Sequence, residues 1–311
     1  MQRTILGLGC LLMAGCATYR VGAPGGAIDV IAHRGASAYV PENTLAAFRL
    51  AKEMGADWIE LDCHLTRDGH VIIIHDATLE RTTNGEAKVS DFTLAELQKL
   101  DAGSWKDAKY CDERLPTFDQ ALEFAREARI GVYVEIKSEA DDDALMRSIL
   151  DATGEHTRPS KTLLREMMQE IDASDTRNLE LTRKTLAGIA EHKMGRLIII
   201  QSFSPIICAI VLAEAPRLRV EFLASEDKDD HQHWKDCERW AQILDIAAMN
   251  LHRETLNQQR FAAFREQGKN INVWTVDDPA DMRRFAEWGV DGIITNRPDA
   301  CLDMLRSLGK H

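Results

Sequence analysis

The chain has 311 residues, of which 45% are hydrophobic, and this is enough to bury a sizeable core in one large domain or two ordinary ones. Its formal net charge of −12 argues against a nucleic-acid partner, because binding to a phosphate backbone requires a basic face. An anionic substrate would therefore have to be held by a few local cations and a metal ion, not by the overall charge.

The N-terminus has the features of a secretory signal. One arginine at position 3 precedes Thr4 to Ala14, a mostly apolar run that is too short to span a bilayer comfortably. The run ends in Leu12-Met13-Ala14-Gly15-Cys16, which resembles a bacterial lipoprotein signal, so we expect a signal peptide over residues 1–15 and lipidation of Cys16. Cleavage near Ala17 and retention of the segment are the alternatives.

This signal predicts a lipid-anchored membrane lipoprotein of the cell envelope that faces the periplasm or the exterior. The alternative is a secreted or periplasmic soluble protein. Residues 16–27 contain three glycines and a proline, which is typical of a flexible tether between a membrane and a domain.

From residue 28 onward, short apolar runs alternate with stretches of helical period, such as Thr44–Met54, Phe118–Ala128, Asn257–Gln267 and Pro279–Trp288. Eight such runs are predicted strands: Asp29–His33, Trp58–Asp62, Val132–Lys137, Leu197–Gln201, Val220–Leu223, Ile243–Ala248, Ile271–Val276 and Gly292–Thr295. Alternating βα units favour a parallel sheet, and eight of them favour a closed (β/α)₈ TIM barrel. We therefore predict one barrel domain over residues 28–311, with an open doubly wound sheet as the alternative.

Two stretches of the chain are longer than the regular alternation of strand and helix requires. The apolar run Val71–His75 follows a turn signal at Asp68-Gly69, and a hairpin with that turn would place residue 75 opposite residue 62. This predicts an insertion over about residues 63–116, between the second strand and its helix. The segment 138–196 after the third strand is also long, and its composition predicts an extended helical segment.

Three acidic side chains are expected at the carboxyl ends of neighbouring strands. Glu60 and Asp62 lie two residues apart on one strand and so share a face. Glu135 lies in an otherwise apolar strand, where a buried carboxylate needs a cation beside it. The pattern predicts an all-oxygen site for Ca²⁺ or Mg²⁺, while a local ion pair between Glu135 and Lys137 is the alternative.

Histidines and cations surround this predicted site. His33 ends the first strand and His75 ends the hairpin, so the two imidazoles could accept and donate the two protons that phosphodiester hydrolysis moves. Arg34 and Lys137 could offset a bound phosphodiester. Glu42 is expected to hold the Arg34 guanidinium, although it could instead add a carboxylate to the metal region. His231 and His233, with Cys237, lie in a polar stretch and are interpreted as surface residues.

Several short motifs, widely separated along the chain, resemble those of the glycerophosphodiester phosphodiesterase family and occur in the family's order. These motifs include His33-Arg34-Gly35, Pro41-Glu42-Asn43-Thr44, Glu60-Leu61-Asp62, Thr66-x-Asp68-Gly69, His75-Asp76, Arg81-Thr82-Thr83-Asn84-Gly85, Glu135-Ile136-Lys137, Gln201-Ser202-Phe203, Val273-Trp274-Thr275-Val276 and Gly289-Val290-Asp291-Gly292. Ser204 and Asn296 depart from the family's usual aspartates. The resemblance covers residues 28–303.

The resemblance implies a TIM barrel that cleaves glycerophosphodiesters to sn-glycerol 3-phosphate and an alcohol with one divalent cation, Ca²⁺ or Mg²⁺. It implies these roles by position: metal ligands Glu60, Asp62 and Glu135; acid and base His33 and His75; phosphate contacts Arg34 and Lys137; and a pocket-lining Trp274. Alternatives are a lysophospholipase D-like or phospholipase-type activity on membrane lipids, and a non-catalytic surface-binding lipoprotein. The resemblance leaves open the headgroup, the nucleophile, which histidine is the acid, and the oligomeric state.

Overall fold

The computed structural model of the protein describes residues 26–140, 142–154, 157–227 and 230–311, with the side chain of His231 excepted. The predicted signal peptide, Cys16 and nearly all of the predicted tether lie outside the described residues. Within the described ranges, no helix combines the length and the apolar character needed to cross a membrane.

Eight parallel strands close into a barrel, and a ninth, short strand pairs antiparallel with the second. In chain order the strands are β1 (Asp29–Ala32), β2 (Trp58–Leu65), β3 (Val71–Ile73), β4 (Gly131–Ile136), β5 (Ile198–Ser202), β6 (Arg219–Ala224), β7 (Ala248–His252), β8 (Asn270–Trp274) and β9 (Gly292–Thr295). The barrel closes because β1 pairs with both β2 and β9. The predicted TIM barrel is thereby confirmed.

Helices surround the barrel. They are α1 (Leu45–Met54), α2 (Leu94–Leu97), α3 (Phe118–Ala128), α4 (Asp143–Ala152), α5 (Lys161–Ser174), α6 (Arg177–Glu191), α7 (Pro205–Glu214), α8 (His231–Ile243), α9 (Gln258–Glu266), α10 (Pro279–Trp288) and α11 (Pro298–Ser307). The large apolar core lies between this helical layer and the outer face of the strands.

Local sequence signals define several of these helices. A capping box begins α3: the Thr117 side chain accepts from the backbone of Gln120, whose own side chain accepts from the backbone of Thr117. Such caps contribute about 1 kcal/mol each. At the end of α10, Gly289 has a φ of 82°, a left-handed conformation that glycine adopts without steric cost.

One strand prediction was wrong in position. The apolar run Ile243–Ala248 is not a strand, because Ile243 ends α8 and β7 begins only at Ala248. Ile243, Leu244 and Ile246 are buried at the helix end and in the connection that follows. Buried apolar residues at a helix end and in a strand have the same composition, so periodicity over six residues cannot separate them.

The predicted hairpin exists, but its register differs by one residue. Cys63 pairs with Ile73 and Leu65 with Val71, which places Asp62 opposite Ile74 and not opposite His75. The cause is the turn, in which the Thr66 amide bonds the His70 carbonyl across three residues. A one-residue shift exchanges the faces of a strand, so the route by which His75 reaches the site also differs from the prediction.

The two extra stretches have distinct architectures. Between β2 and α3, β3, α2 and short 3₁₀ turns enclose a small separate core of mainly aliphatic side chains: Ile72, Ile74, Leu79, Val89, Leu97, Ala102 and Leu115. The extended helical segment after β4 consists of α4, α5 and α6. Both stretches begin at the carboxyl ends of strands that supply the candidate site.

Candidate active site

The candidate site is the uppermost layer of side chains inside the barrel. Along β2 the side chains of Trp58, Glu60 and Asp62 share the inward face, since alternate residues of a strand point the same way. Glu135 is the register partner of Asp62 on β4, so their side chains emerge side by side. Active sites of TIM barrels lie at this carboxyl-terminal end of the strands.

Glu60, Asp62 and Glu135 converge on one point. Each offers one carboxylate oxygen, and the three oxygens lie within 4.8 Å of one another. The exposed fractions of these residues are 0%, 0% and 6%. Three buried like charges at this separation repel each other strongly, so the cluster requires nearby positive charge.

Two side-chain cations lie against the cluster. The Lys137 Nζ is 2.6 Å from Glu135 Oε1 and 3.6 Å from Asp62 Oδ1. The Arg34 Nε is 3.4 Å from Asp62 Oδ2, and its backbone amide donates to Glu60 Oε2 at 2.8 Å. The local ion pair of Glu135 with Lys137 is therefore present together with the convergence of three carboxylates.

The three carboxyl groups differ in proton affinity. Burial raises the pKa of Glu60 well above its usual range, and repulsion from Asp62 and Glu135 adds to this. Burial also raises the pKa of Glu135 to about 6, although Lys137 opposes the shift. Asp62 differs, because Lys137 and Arg34 outweigh its burial and lower its pKa. Without further positive charge, the cluster retains protons that an ordinary carboxylate would release.

The donor set fits a hard divalent cation. All three groups are oxygen ligands, the type that Ca²⁺ and Mg²⁺ prefer. Asp62 Oδ1 is buried and accepts no hydrogen bond, although Lys137 is 3.6 Å away. A divalent ion would lower the charge of the three carboxylates from −3 to about −1 and would give that oxygen a partner.

His33 is held by an amide from the opposite end of the chain. Its Nδ1 lies 2.7 Å from Oδ1 of Asn296, whose amide nitrogen donates to Asp277 at 2.6 Å. Since Oδ1 can only accept, Nδ1 of His33 must be the donor. Burial, with the charge of Arg34 adding to it, lowers the pKa of His33 to about 4. The ring is therefore neutral at pH 7 and leaves Nε2 free to accept a proton.

His75 is held by a carboxylate. Its Nδ1 lies 2.7 Å from Oδ1 of Asp76, which also receives hydrogen bonds from Arg81. Burial lowers the pKa of His75, and the charge of Asp62 opposes this effect. The chain thus presents two imidazoles with different partners, a neutral amide for His33 and a carboxylate for His75.

Glu42 lies between two arginines. It accepts from Arg34 at 2.9 Å and from two nitrogens of Arg81 at 2.8 Å each. Glu42 therefore holds the Arg34 guanidinium, the role that the sequence favoured for it. Arg81 also bonds Asp76, so one side chain connects the partner of His75 with the partner of Arg34.

The loop after β1 has an unusual backbone at the site. Arg34 and Asn43 have φ angles of 54° and 56°, in the left-handed region that side chains adopt only at a cost. Asn43 also donates from its side chain to Asp62 at 2.8 Å. Gly35 has a φ of 80°, and a Cβ there would lie 2.6 Å from Ala47. The loop therefore admits only glycine at position 35.

Trp274 lies at the carboxyl end of β8 on the inward face. Its Nε1 donates to the Asn250 carbonyl at 2.9 Å, which fixes the ring. Edge contacts join the ring to Phe203 and His252, with centroids 5.4 and 4.9 Å away. Phe203 is 42% exposed. Together the three rings form an aromatic wall at the carboxyl-terminal end of the barrel.

Several site residues were missed by sequence reasoning. Glu139 accepts from His64 at 2.7 Å and from the Leu65 amide at 3.0 Å, while His64 also bonds the His75 carbonyl. Asn296 was noted only as a departure from a pattern. Gln201 was treated as a strand-end marker, yet its amide donates to Glu60 at 3.2 Å. For Gln201 a signal was available, since it is a polar residue on the inward face of an otherwise apolar strand.

Comparisons with known proteins agree on one family. A family model described as the glycerophosphoryl diester phosphodiesterase family matches residues 33–300. A glycerophosphodiester phosphodiesterase of Caldanaerobacter subterraneus is 35% identical over 90% of this chain and 98% of its own length, and one of Bacillus subtilis is 32% identical over 88% and 84%. A phosphodiesterase of Oleispira antarctica, solved in complex with the product sn-glycerol-3-phosphate, is 25% identical, covers 90% of this chain and 97% of its own, and superposes with a TM-score of 0.71.

Proposed function

This chain belongs to the glycerophosphoryl diester phosphodiesterase family, and from that premise we propose how its residues perform the reaction. The protein is an enzyme that hydrolyses glycerophosphodiesters to sn-glycerol 3-phosphate and an alcohol on a TIM barrel. The observation that supports the proposed mechanism best is the buried cluster of three carboxylates, with His33 and His75 close enough to Asp62 for its charge to influence both pKa values.

Glu60, Asp62 and Glu135 are the proposed ligands of a divalent metal ion, Ca²⁺ or Mg²⁺. When bound, such an ion supplies Lewis-acid polarisation of a phosphoryl oxygen. Arg34 and Lys137 then offset the remaining charge of the phosphodiester, and the planar guanidinium of Arg34 is already oriented by Glu42. Trp274 lines the side of the pocket that receives the rest of the substrate.

We assign the base to His33 and the acid to His75. His33 is neutral and its Nδ1 donates to Asn296, so Nε2 can take the proton of the attacking hydroxyl, whether this belongs to water or to the glycerol 2-position. Asp62 and Asp76 oppose the lowering of the His75 pKa by burial, and the Asp76 carboxylate stabilises the imidazolium form more than a neutral amide could. His75 is therefore the group that protonates the leaving alkoxide.

The reaction itself is tested with the purified protein and a panel of glycerophosphodiesters that differ in their alcohol. We expect enzymatic detection of sn-glycerol 3-phosphate from at least one of them, together with the matching free alcohol. Release of the phosphorylated alcohol with free glycerol would contradict the proposed bond cleavage. The panel also includes lysophosphatidylcholine, whose turnover reports on the lipid-directed alternative.

Metal affinity is expected to fall as the pH is lowered below about 6. The bound form requires ionised carboxylates, and the raised pKa values of Glu60 and Glu135 mean that protons compete with the metal in this range. One displaced proton weakens binding by about tenfold for each pH unit below the pKa. Calorimetric titration of the metal at pH 5 and pH 7, in buffers of different ionisation enthalpy, measures both the affinity and the proton release. Equal affinities at the two pH values would contradict the proposed ligand set.

We further propose that the protein is anchored in the cell envelope through a lipid on Cys16. The support is the sequence alone, in which Cys16 follows a short apolar run and Ala14-Gly15. In cells fed a fatty-acid probe, we expect labelled protein in the membrane fraction and no label on the Cys16→Ala variant. Cys10→Ala is the matched control and should remain labelled. Label that persists on Cys16→Ala would exclude lipidation at this residue.

A further inference from the structure

A chain of buried amides crosses the barrel interior and ends at the carboxylate cluster. It consists of Gln201 on β5, Asn250 on β7 and Asn272 on β8, which are exposed by 1%, 0% and 1%. Each lies on the inward face of its strand. Burying so many polar groups in a barrel that apolar side chains could fill is costly unless every group is hydrogen-bonded.

The hydrogen bonds run in one direction toward the site. Asn272 Nδ2 donates to Asn250 Oδ1 at 2.9 Å, and Asn250 Nδ2 donates to Gln201 Oε1 at 2.8 Å. Gln201 Nε2 then donates to Glu60 Oε1 at 3.2 Å. Bonds aligned in this way polarise one another, so the last donor is a better partner for a carboxylate than an isolated amide.

The other end of the chain is also fixed by a carboxylate. The same Asn272 nitrogen donates its second hydrogen to Glu221 Oε2 at 2.8 Å, and Glu221 is paired with Arg219 near the amino-terminal end of the barrel. Asn272 therefore donates in both directions, to Asn250 on the side of the site and to Glu221 on the other. A flip of any amide in the chain would set two acceptors against each other.

The packing around Asn272 supports a fixed orientation. Gly292 on β9 lies beside it, and a Cβ at this glycine would be 2.6 Å from Asn272 Oδ1 and 3.0 Å from Ile31. The absence of a side chain at position 292 therefore leaves room for the amide in its present position.

We infer that Gln201, Asn250 and Asn272 are positioning residues that hold the Glu60 carboxylate in the orientation needed to bind the metal ion. The inference rests on the proposed function, since it presumes that Glu60 is a metal ligand. Within the described residues, the other hydrogen bond to Glu60 comes from the Arg34 backbone amide, and it engages the second oxygen, Oε2. The amide chain thus fixes Oε1, and with it the rotation of the carboxylate about its last bond.

The test is calorimetric measurement of the Kd for Ca²⁺ and for Mg²⁺, without substrate, on two variants of the full-length protein. Asn250→Leu keeps the side-chain size but leaves Gln201 Oε1 without its donor. Gln201→Asn retains an amide that is too short to reach both Glu60 and Asn250. Removal of the partners of metal ligands typically weakens binding by about 10- to 100-fold, and we expect a loss of about tenfold in each variant.

Thr185→Val is the matched control. Thr185 is also fully buried and also donates from its side chain, to the Leu181 carbonyl at 2.9 Å, but it lies on α6, outside the barrel interior. We expect this variant to lose thermal stability and to keep its metal Kd within about twofold of wild type. This outcome would separate positioning of Glu60 from a general loss of stability, which thermal unfolding of all three variants also monitors.

Two different results would overturn the inference. Wild-type Kd values in folded Asn250→Leu and Gln201→Asn would contradict the role of the amide chain and leave the proposed function intact. A wild-type protein that hydrolyses glycerophosphodiesters yet binds neither ion would contradict the metal site, and the inference with it. If Asn250→Leu does not fold, the milder Gln201→Asn variant decides between these results.

Discussion

Replacing either His33 or His75 with alanine is expected to lower kcat by about 10²- to 10⁴-fold, the usual contribution of a general acid or base. The assignment of roles makes a sharper expectation. A nitrophenyl ester of glycerol phosphate has a leaving group that needs no proton, so it should restore much of the activity of His75→Ala and little of that of His33→Ala. The measurement is kcat for both variants on this ester and on an alkyl glycerophosphodiester.

His70→Ala is the matched control for these variants. His70 lies in the same hairpin as His75, and its side chain is 58% exposed. We expect it to retain kcat within about twofold of wild type, because it is exposed and remote from the proposed machinery. Rescue of His33→Ala in place of His75→Ala would reverse the assignment of acid and base, and full activity of either variant on the alkyl ester would remove that histidine from the mechanism.

Asp62→Asn should abolish metal binding in the micromolar range and reduce turnover by at least about 10²-fold. Loss of an outer partner of a ligand already costs about 10- to 100-fold, and Asp62 is proposed as a ligand itself. It also carries the charge that faces Arg34 and Lys137, and these two cations hold its pKa below the usual range. Calorimetry and steady-state kinetics at high metal concentration measure the two effects separately.

The control for this change is Asp112→Asn, which removes the same charge from an exposed residue of the insertion. It should leave the metal Kd and kcat within about twofold of wild type, since exposed substitutions away from such contacts have small effects. Tight metal binding by Asp62→Asn would show that the ion is held by other groups and would move the centre of the proposed site.

Sequence periodicity predicted the architecture well where an element had its own local signals. The predicted bounds of α3 and α10 match the structure at both ends, since a cap residue precedes each helix and a left-handed residue follows it. The same reasoning misplaced β7, because the buried end of α8 and a buried strand cannot be told apart by composition.

The hairpin shows a second kind of failure. The turn at Asp68-Gly69 was read as a two-residue loop, whereas the Thr66 side chain bonds both the His70 amide and Asp68 and so widens it to three residues. The strand pairing shifts by one residue as a result. His75 still lies close enough to Asp62 for each charge to influence the other's pKa.

The cluster of Glu60, Asp62 and Glu135 could be anticipated because each lies on a predicted strand end. The contacts that orient the site residues, in contrast, join positions that lie far apart in the sequence. Asn296 lies 263 residues from His33, and Gln201 lies 141 residues from Glu60. Contacts of this kind depend on barrel closure and on strand register, which local patterns do not contain.

The central claim is that a divalent metal held by three carboxylates is required for release of sn-glycerol 3-phosphate. The most direct measurement follows this release after the protein is treated with a chelator and then titrated with Ca²⁺ or Mg²⁺. We predict loss of activity on chelation and its return with an ion concentration that matches the calorimetric Kd. Undiminished release by chelated protein that calorimetry shows to be metal-free would contradict the claim.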